Sequence, residues 1–247
     1  NDQFVLRDDW ITLKSLCETA LLKIENNGIA YGKDGYLFEK FTSLAGEKRA
    51  QYDRNLGYAM TFLQKHQNDP VTFAIIPNAY AILPEKLPAG LEQVDQLQLI
   101  QEAYARVPEG TGVADFSQAL TAHRENYIFY RTDHHWTVTG AYYAYAAFCK
   151  EAGFTPTPYD SFEWNRKEPF YGTLYAQTQD STLRENPDYV DYPTISTPHQ
   201  AYMYRRGQPF TPYTSTIMAD CTFLEQSFSH FIPELAGSII STVLISI

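Results

Sequence analysis

The 247-residue sequence is poor in positive charge: 19 Lys and Arg stand against 29 Asp and Glu, a formal net charge of −10. Nucleic-acid phosphates are gripped by a basic face, and no basic cluster breaks this balance, so the composition argues against a nucleic-acid partner. Cysteine is scarce too. Cys17, Cys149 and Cys221 lie far apart and form no CxxC, so neither a disulfide framework nor a zinc site is indicated. No stretch approaches the roughly 18 consecutive apolar residues of a membrane-spanning helix. Internal repeats and low-complexity tracts are also lacking. No metal and no cofactor is expected.

What is present is a globular profile, with 44% hydrophobic and 19% charged residues. The length suits one α/β domain over residues 1–247 with a substantial core. Tyrosine is abundant, at 19 residues. Its flat apolar face and polar tip suit a sugar surface, and they suit the edge of a large core equally well. The first residue is Asn1 rather than Met, which fits the expectation of an upstream targeting segment removed from the chain.

Hydrophobic periodicity predicts helices over about Asp9–Ile24, Ala45–His66, Leu91–Val107, Phe116–Ala122 and Val138–Ala152. Thr137 or Thr139 is placed to cap the last of these and Gly153 to end it. Cys149 falls in its apolar stretch and reads as core. Short extended pieces, Ile29–Tyr31 and Tyr36–Phe38, surround the turn residues Lys33-Asp34-Gly35. The continuous apolar run Val71–Pro77 has the pattern of a strand buried on both faces, as in a parallel sheet covered by helices. A second strand is expected at Tyr127–Tyr130. Residues 154 to 213, rich in Pro, Tyr, Thr and Asp, read as a long surface excursion. The end of the chain reads as strand (Cys221–Leu224), helix (Phe228–Ala236) and strand (Thr242–Ile247). Alternating elements of this kind indicate an α/β class with a largely parallel sheet.

The densest chemistry lies in Arg131-Thr132-Asp133-His134-His135-Trp136-Thr137, between the expected strand Tyr127–Tyr130 and the helix from Val138. Open α/β sheets place ligands outside the carboxyl ends of their strands. An Asp and a His two residues apart on a loop can meet side chain to side chain, the carboxylate fixing the imidazole tautomer. Helix capping or plain surface polarity is the bland alternative. A metal site is the sharper one, since Asp and two His are a possible ligand set. Adjacent residues on an extended chain point apart, however, and no HxH or HExxH completes a shell.

Ser227 is the candidate nucleophile. The apolar segment Thr222–Leu224 runs into it, and a helix is predicted to start just after it. That layout lifts a hydroxyl to the rim of a sheet and aims the first helical N–H groups at a developing oxyanion. A serine there is equally a helix cap. Cys221 is a weaker rival, because it sits at the start of its strand, the end away from such a site.

The block Tyr130-Arg131-Thr132-Asp133-His134-His135-Trp136-Thr137, followed by Gly140-Ala141-Tyr142-Tyr143-Ala144-Tyr145, resembles the signature of the bacterial DHHW family and is similar to AlgX/AlgJ-type proteins of alginate O-acetylation. Supporting blocks are Gly32–Phe38, Ile76-Pro77-Asn78 with Leu83–Pro88, Phe170–Tyr175, and Ser227-Phe228 with Phe231-Ile232-Pro233 and Leu235. The resemblance runs from about Ile29 to the end. It implies an SGNH-hydrolase-like three-layer α/β/α sandwich with a mainly parallel central sheet, in which the Asp-x-His pair precedes the serine.

Carried over residue by residue, the resemblance implies Ser227 as nucleophile, His135 as general acid/base and Asp133 as its orienting carboxylate. Asn78, His134, Trp136, Arg131 and Tyr175 are candidates for oxyanion or substrate contacts. The implied activity is O-acetyl transfer or O-deacetylation on an exported or cell-surface polysaccharide. The implied setting is the periplasm or cell surface, with a membrane-bound O-acyltransferase supplying acetyl groups. Gln226 departs from the acidic or small residue usual before the serine. The chain also ends one strand after the nucleophile helix, where relatives continue. A non-catalytic carbohydrate-binding scaffold and a metal-dependent phosphoesterase are the competing readings.

Overall fold

A computed structural model describes residues 7–20, 25–194, 201–203, 211–213 and 241–246. Helix α1 (Arg7–Ala20) precedes a small antiparallel meander of β1 (Glu25–Asn26), β2 (Ile29–Tyr31) and β3 (Leu37–Glu39). Helix α2 (Glu47–Lys65) leads into β4 (Val71–Ile76), followed by the short helix α3 (Ala79–Ile82). Next come α4 (Gln96–Tyr104), β5 (Gly112–Val113), α5 (Phe116–Ala122) and α6 (Val138–Glu151). The remaining elements are β6 (Trp164–Phe170), α7 (Thr173–Thr178), β7 (Asp188–Pro193), β8 (Ala201–Met203), β9 (Thr211–Tyr213) and β10 (Ser241–Ser246). No helix among the described residues is long and apolar enough to cross a membrane.

The alternation along β4 divides the core. Val71, Phe73 and Ile75 pack with Leu56 and Leu63 of α2 and Ile100 of α4. Ala74 faces the other cluster, with Phe116 and Leu120 of α5 and Ala141, Ala144 and Phe148 of α6. Side chains at odd and even positions of a strand point to opposite faces, so helices on both sides demand an apolar residue nearly everywhere. Burying each such side chain stabilises the fold by about 1.5–3 kcal/mol. Cys149 lies in the second cluster as a free, buried thiol.

Strand β4 pairs in parallel with β10 on one side, Ser241 opposite Val71 through Ser246 opposite Ile76, and with β5 on the other. The fold is mixed α/β. Among the described residues, however, the sheets are small. The parallel one has three strands, not the broad central sheet expected of a three-layer sandwich.

The expected strand Tyr127–Tyr130 is found only in part. Among the described residues it joins no ladder; a single antiparallel bridge links Phe129 to Trp136. The Thr137 N–H donates to the Ile128 carbonyl at 2.9 Å and the Tyr130 N–H to the His135 carbonyl at 3.3 Å. The chain thus folds back on itself. Ile128, Phe129 and Tyr130 are all buried, and an apolar run reports burial without reporting the partner that supplies it.

The tract read as a surface excursion carries order of its own. Strands β6 and β7 pair antiparallel, with α7 in the connection between them. Leu174, Thr178, Asp188 and Val190 are buried, and Val190 packs with Tyr130 and Val138. The expected elements Cys221–Leu224 and Phe228–Ala236 lie outside the described residues, as do Cys221 and Ser227.

Candidate active site

Residues 131–135 form a tight loop closed by the Phe129–Trp136 bridge and held at its far side by the start of α6. Thr137, rather than Thr139, is the cap: its Oγ1 accepts from the Gly140 N–H at 3.1 Å and donates to the Tyr127 carbonyl at 2.6 Å. Gly140 lets α6 press onto the returning chain, because a Cβ there would lie 2.3 Å from the Ile128 carbonyl oxygen. The loop is therefore pinned by its own local chemistry before any distant contact is made.

Distant contacts then fix its interior. The carboxylate of Asp188, at the head of β7, is fully buried under the loop. It accepts from the Arg131 N–H at 3.2 Å and Arg131 Nε at 2.9 Å, from the Thr132 N–H at 2.7 Å and Thr132 Oγ1 at 2.5 Å, and from the Tyr127 hydroxyl. Arg131 also donates through Nη2 to the Pro187 carbonyl at 2.7 Å, and its own carbonyl accepts from the Leu37 N–H of β3 at 2.7 Å. From the other side the first turn of α7 docks: the Leu174 and Tyr175 N–H groups both donate to the Thr132 carbonyl, at 3.1 and 3.0 Å. These orphan helix N–H groups need an acceptor, and the loop supplies it.

This scaffold presents Asp133 and His135. Asp133 Oδ1 accepts from His135 Nδ1 at 2.6 Å and from the His135 N–H at 2.9 Å, while Oδ2 accepts from the Thr173 N–H at 2.7 Å. Burial alone would push this carboxyl up. The hydrogen bonds from the His135 imidazole, the Thr173 N–H and the His135 N–H outweigh it, and the group is held well below the usual carboxylate range. An ionised carboxylate only accepts, so Nδ1 carries the imidazole proton and Nε2 is the nitrogen fitted to take another. Asp133 is 5% exposed while the His135 side chain is 30% exposed, a buried orienting group behind an accessible imidazole.

His134 does not point away from its neighbour, as an extended chain would require. The rings of His134 and His135 lie 3.9 Å apart, and His134 Nδ1 meets Thr173 Oγ1 at 2.7 Å. One ligand atom each from Asp133, His134 and His135 falls within 4.8 Å of the others, so the set could approach a metal. Both Asp133 oxygens, however, already accept the donors that hold the carboxylate against His135. That is the geometry of an oriented imidazole base.

Of the other candidates, Arg131 is turned onto Asp188, Trp136 packs in the core against Phe116, and Tyr175 is buried with its hydroxyl accepting from Arg184 Nε at 2.6 Å. Asn78 stands between β4 and α3, its N–H donating to Gln96 Oε1 at 2.7 Å. Ser227 lies outside the described residues. Asp188, Gly172 and Thr173 were not singled out from the sequence, although Gly172-Thr173 stands inside the family-like block Phe170–Tyr175.

Gly172 is where α7 comes closest. A Cβ there would sit 2.3 Å from Asp133 Cβ, 2.6 Å from its Oδ2 and 2.7 Å from the Thr132 carbonyl oxygen. Gly172→Ala is expected to cost about 1–3 kcal/mol by overpacking, read as a lower midpoint in denaturant at unchanged slope. An unchanged midpoint would show that α7 can retreat freely from the loop.

The DHHW family model, described as DHHW protein, matches residues 52–232. No curated protein matches the chain. Among solved structures, a DHHW family protein from Eubacterium siraeum is similar at 28% identity and a TM-score of 0.58, over 72% of this chain and 57% of that one. The O-acetyltransferase domain of Pseudomonas putida AlgJ is 21% identical with a TM-score of 0.50, over 68% of this chain and 64% of that one. Bacillus cereus PatB1, solved with a sulfonyl adduct, is 15% identical with a TM-score of 0.58, over 75% and 63%. The chain thus spans less than two thirds of each of these proteins.

Proposed function

The chain belongs to the DHHW family, and from that premise we propose that it moves acetyl groups on or off a polysaccharide through an acetyl-serine intermediate. The observation that carries the reading is the 2.6 Å contact of His135 Nδ1 with an Asp133 carboxylate that the Thr173 N–H holds in place. A carboxylate locked in this way has one evident use, to keep an imidazole in the tautomer that accepts a proton at Nε2. In this reading Ser227 is the nucleophile and the full chain takes the SGNH-hydrolase-like three-layer α/β/α form.

His135 Nε2 removes the Ser227 proton as Oγ attacks the acetyl carbonyl, and the new C–O bond pushes a pair onto the carbonyl oxygen. The Ser227 N–H and the Asn78 side chain are the proposed oxyanion donors. Collapse breaks the bond to the donor oxygen, which leaves with the proton from His135. An acceptor hydroxyl, from sugar or water, then attacks the acetyl carbonyl as His135 takes its proton; the acetyl–Oγ bond breaks and Ser227 Oγ leaves with that proton. The AlgJ neighbour is described as an O-acetyltransferase domain, which agrees with this direction of reading. A periplasmic or cell-surface location, with a membrane-bound O-acyltransferase as acetyl source, completes the proposal.

The test is covalent. The PatB1 structure carries a sulfonyl adduct, so a sulfonyl fluoride is the natural probe. Such a reagent is expected to label the protein once, at Ser227, and His135→Ala is expected to suppress labelling. Peptide mapping by mass spectrometry reads both results. Labelling elsewhere, or equal labelling without His135, would remove the triad.

A further inference from the structure

An open cleft of about 650 Å³ is walled by residues that the acetyl chemistry leaves unused. Its size falls within the ~300–1,000 Å³ range of small-molecule sites. Tyr36, Tyr127 and Tyr189 line it, together with Arg131, Arg166 and Glu168. The rim is completed by Asp34 and Asn186. Elements distant in sequence converge here: the turn before β3, the returning chain at Tyr127–Arg131, β6, and the head of β7.

The charges decide what such a cleft takes. Both guanidinium groups are already committed. Arg166 holds Asp191 through Nε at 2.7 Å and Nη2 at 2.9 Å, and lies 3.6 Å from the centre of the Tyr189 ring. Arg131 is engaged by Asp188 and the Pro187 carbonyl. Asp34 is paired with Lys86 at 2.5 Å. Glu168, exposed, makes no hydrogen bond or ion pair among the described residues, and its carboxylate is a charged acceptor still available beside the Asn186 side chain. An anionic ligand would meet Glu168 and Asp34 without a cation free to bind it. A cationic ligand would meet the two guanidinium groups. An uncharged ligand with many hydroxyls fits: its O–H groups can donate to Glu168 and accept from the remaining Nη protons, while its C–H faces lie on tyrosine. Tyr36 adds a phenol that burial, with Asp188 nearby, pushes up to about 12, so it stays protonated.

We propose that this cleft binds an uncharged saccharide of the polymer on which the enzyme acts, holding the chain beside the loop that carries Asp133 and His135. Uronic-acid chains are disfavoured. The proposal rests on the carbohydrate reading above. The coupling to the loop is direct, because Arg131 and Tyr127 wall the cleft and both donate to the Asp188 carboxylate that also fixes Thr132.

The experiment measures binding apart from turnover. The full chain is titrated calorimetrically with cellotriose, triacetylchitotriose and mannotriose as neutral probes, and with a mannuronate trisaccharide as the anionic one. At least one neutral probe is expected to bind saturably and more tightly than the uronate. Glu168→Ala, an exposed change, is expected to weaken it about tenfold, the loss of one hydrogen bond to a charged group. Asn186→Ala, also on the rim, is expected to weaken it less, and Ser227→Ala to leave binding intact while removing ester turnover. No binding by any neutral probe, tighter binding of the uronate, or an unchanged affinity in Glu168→Ala overturns the cleft. Turnover that survives Ser227→Ala overturns the triad instead and leaves the cleft standing.

Discussion

His135→Ala is expected to lower turnover of a chromogenic acetyl ester by about 10⁴–10⁶-fold, and Asp133→Asn by about 10⁴-fold, both in kcat with KM little changed. The second figure follows from the hydrogen bonds around the carboxylate. Oδ1 accepts two donors from His135 and Oδ2 one from Thr173, so every described partner of the group is a donor. An asparagine has one accepting oxygen and one donating NH₂. With its oxygen toward His135, it sets N–H against the Thr173 N–H. With its oxygen toward Thr173, it offers a donor to His135 Nδ1, which draws the imidazole proton to Nε2 and leaves no base where one is needed. Either arrangement defeats the pair. The same bonds give a stability signature. A carboxyl held below its ordinary range stabilises the fold at pH values above the unfolded carboxylate pKa, and that contribution is lost as pH falls through the lower folded value. Asp133→Asn therefore loses stability at neutral pH and converges on the wild type in strong acid. A variant that keeps a tenth or more of wild-type kcat in either case would sink the oriented-imidazole mechanism.

Much of this was readable in the sequence wherever the determining forces are local. Helices α2, α5 and α6 and strand β4 fall close to the periodic segments that predict them, because each carries an apolar face matched to its own repeat. The Thr137 cap and the Asp133–His135 pair are likewise local, spanning three and two residues. Helix α4 starts later than its apolar pattern, at Gln96, because the Asp95 side chain accepts from the Gln98 N–H and begins the helix there. What escaped is long-range. Asp188 stands 57 residues from Arg131, inside the tract 154 to 213 that reads as a surface excursion. Thr173 stands 40 residues from Asp133. No periodicity marks a polar residue that is buried only because a distant loop brings donors to it. The resemblance of Phe170–Tyr175 to a family block was the available signal, and it gave a location without a role.

The strongest structural consequence of that hidden contact is the expected behaviour of Asp188→Ala. Removing this fully buried carboxylate strands the buried Thr132 N–H together with the partly buried Tyr127 hydroxyl and Arg131 guanidinium. Deleting one partner of a buried, hydrogen-bonded ion pair costs about 3–5 kcal/mol, since the remaining charge keeps its desolvation penalty and loses its compensation. For a chain of this size that corresponds to a fall in Tm of about 6–20 °C, measurable by calorimetry. Asp188→Asn separates charge from shape: it retains one acceptor and the side-chain volume, and is expected to fall between wild type and Asp188→Ala. Activity adds a second reading. Assayed well below either melting point, both variants should lose acetyl-ester turnover, because Thr132 immediately precedes Asp133 and its backbone is held from one side by Asp188 and from the other by α7. If Asp188→Ala instead melts with the wild type, Arg131 and Thr132 must find water or other acceptors without strain, and the carboxylate does not organise the loop.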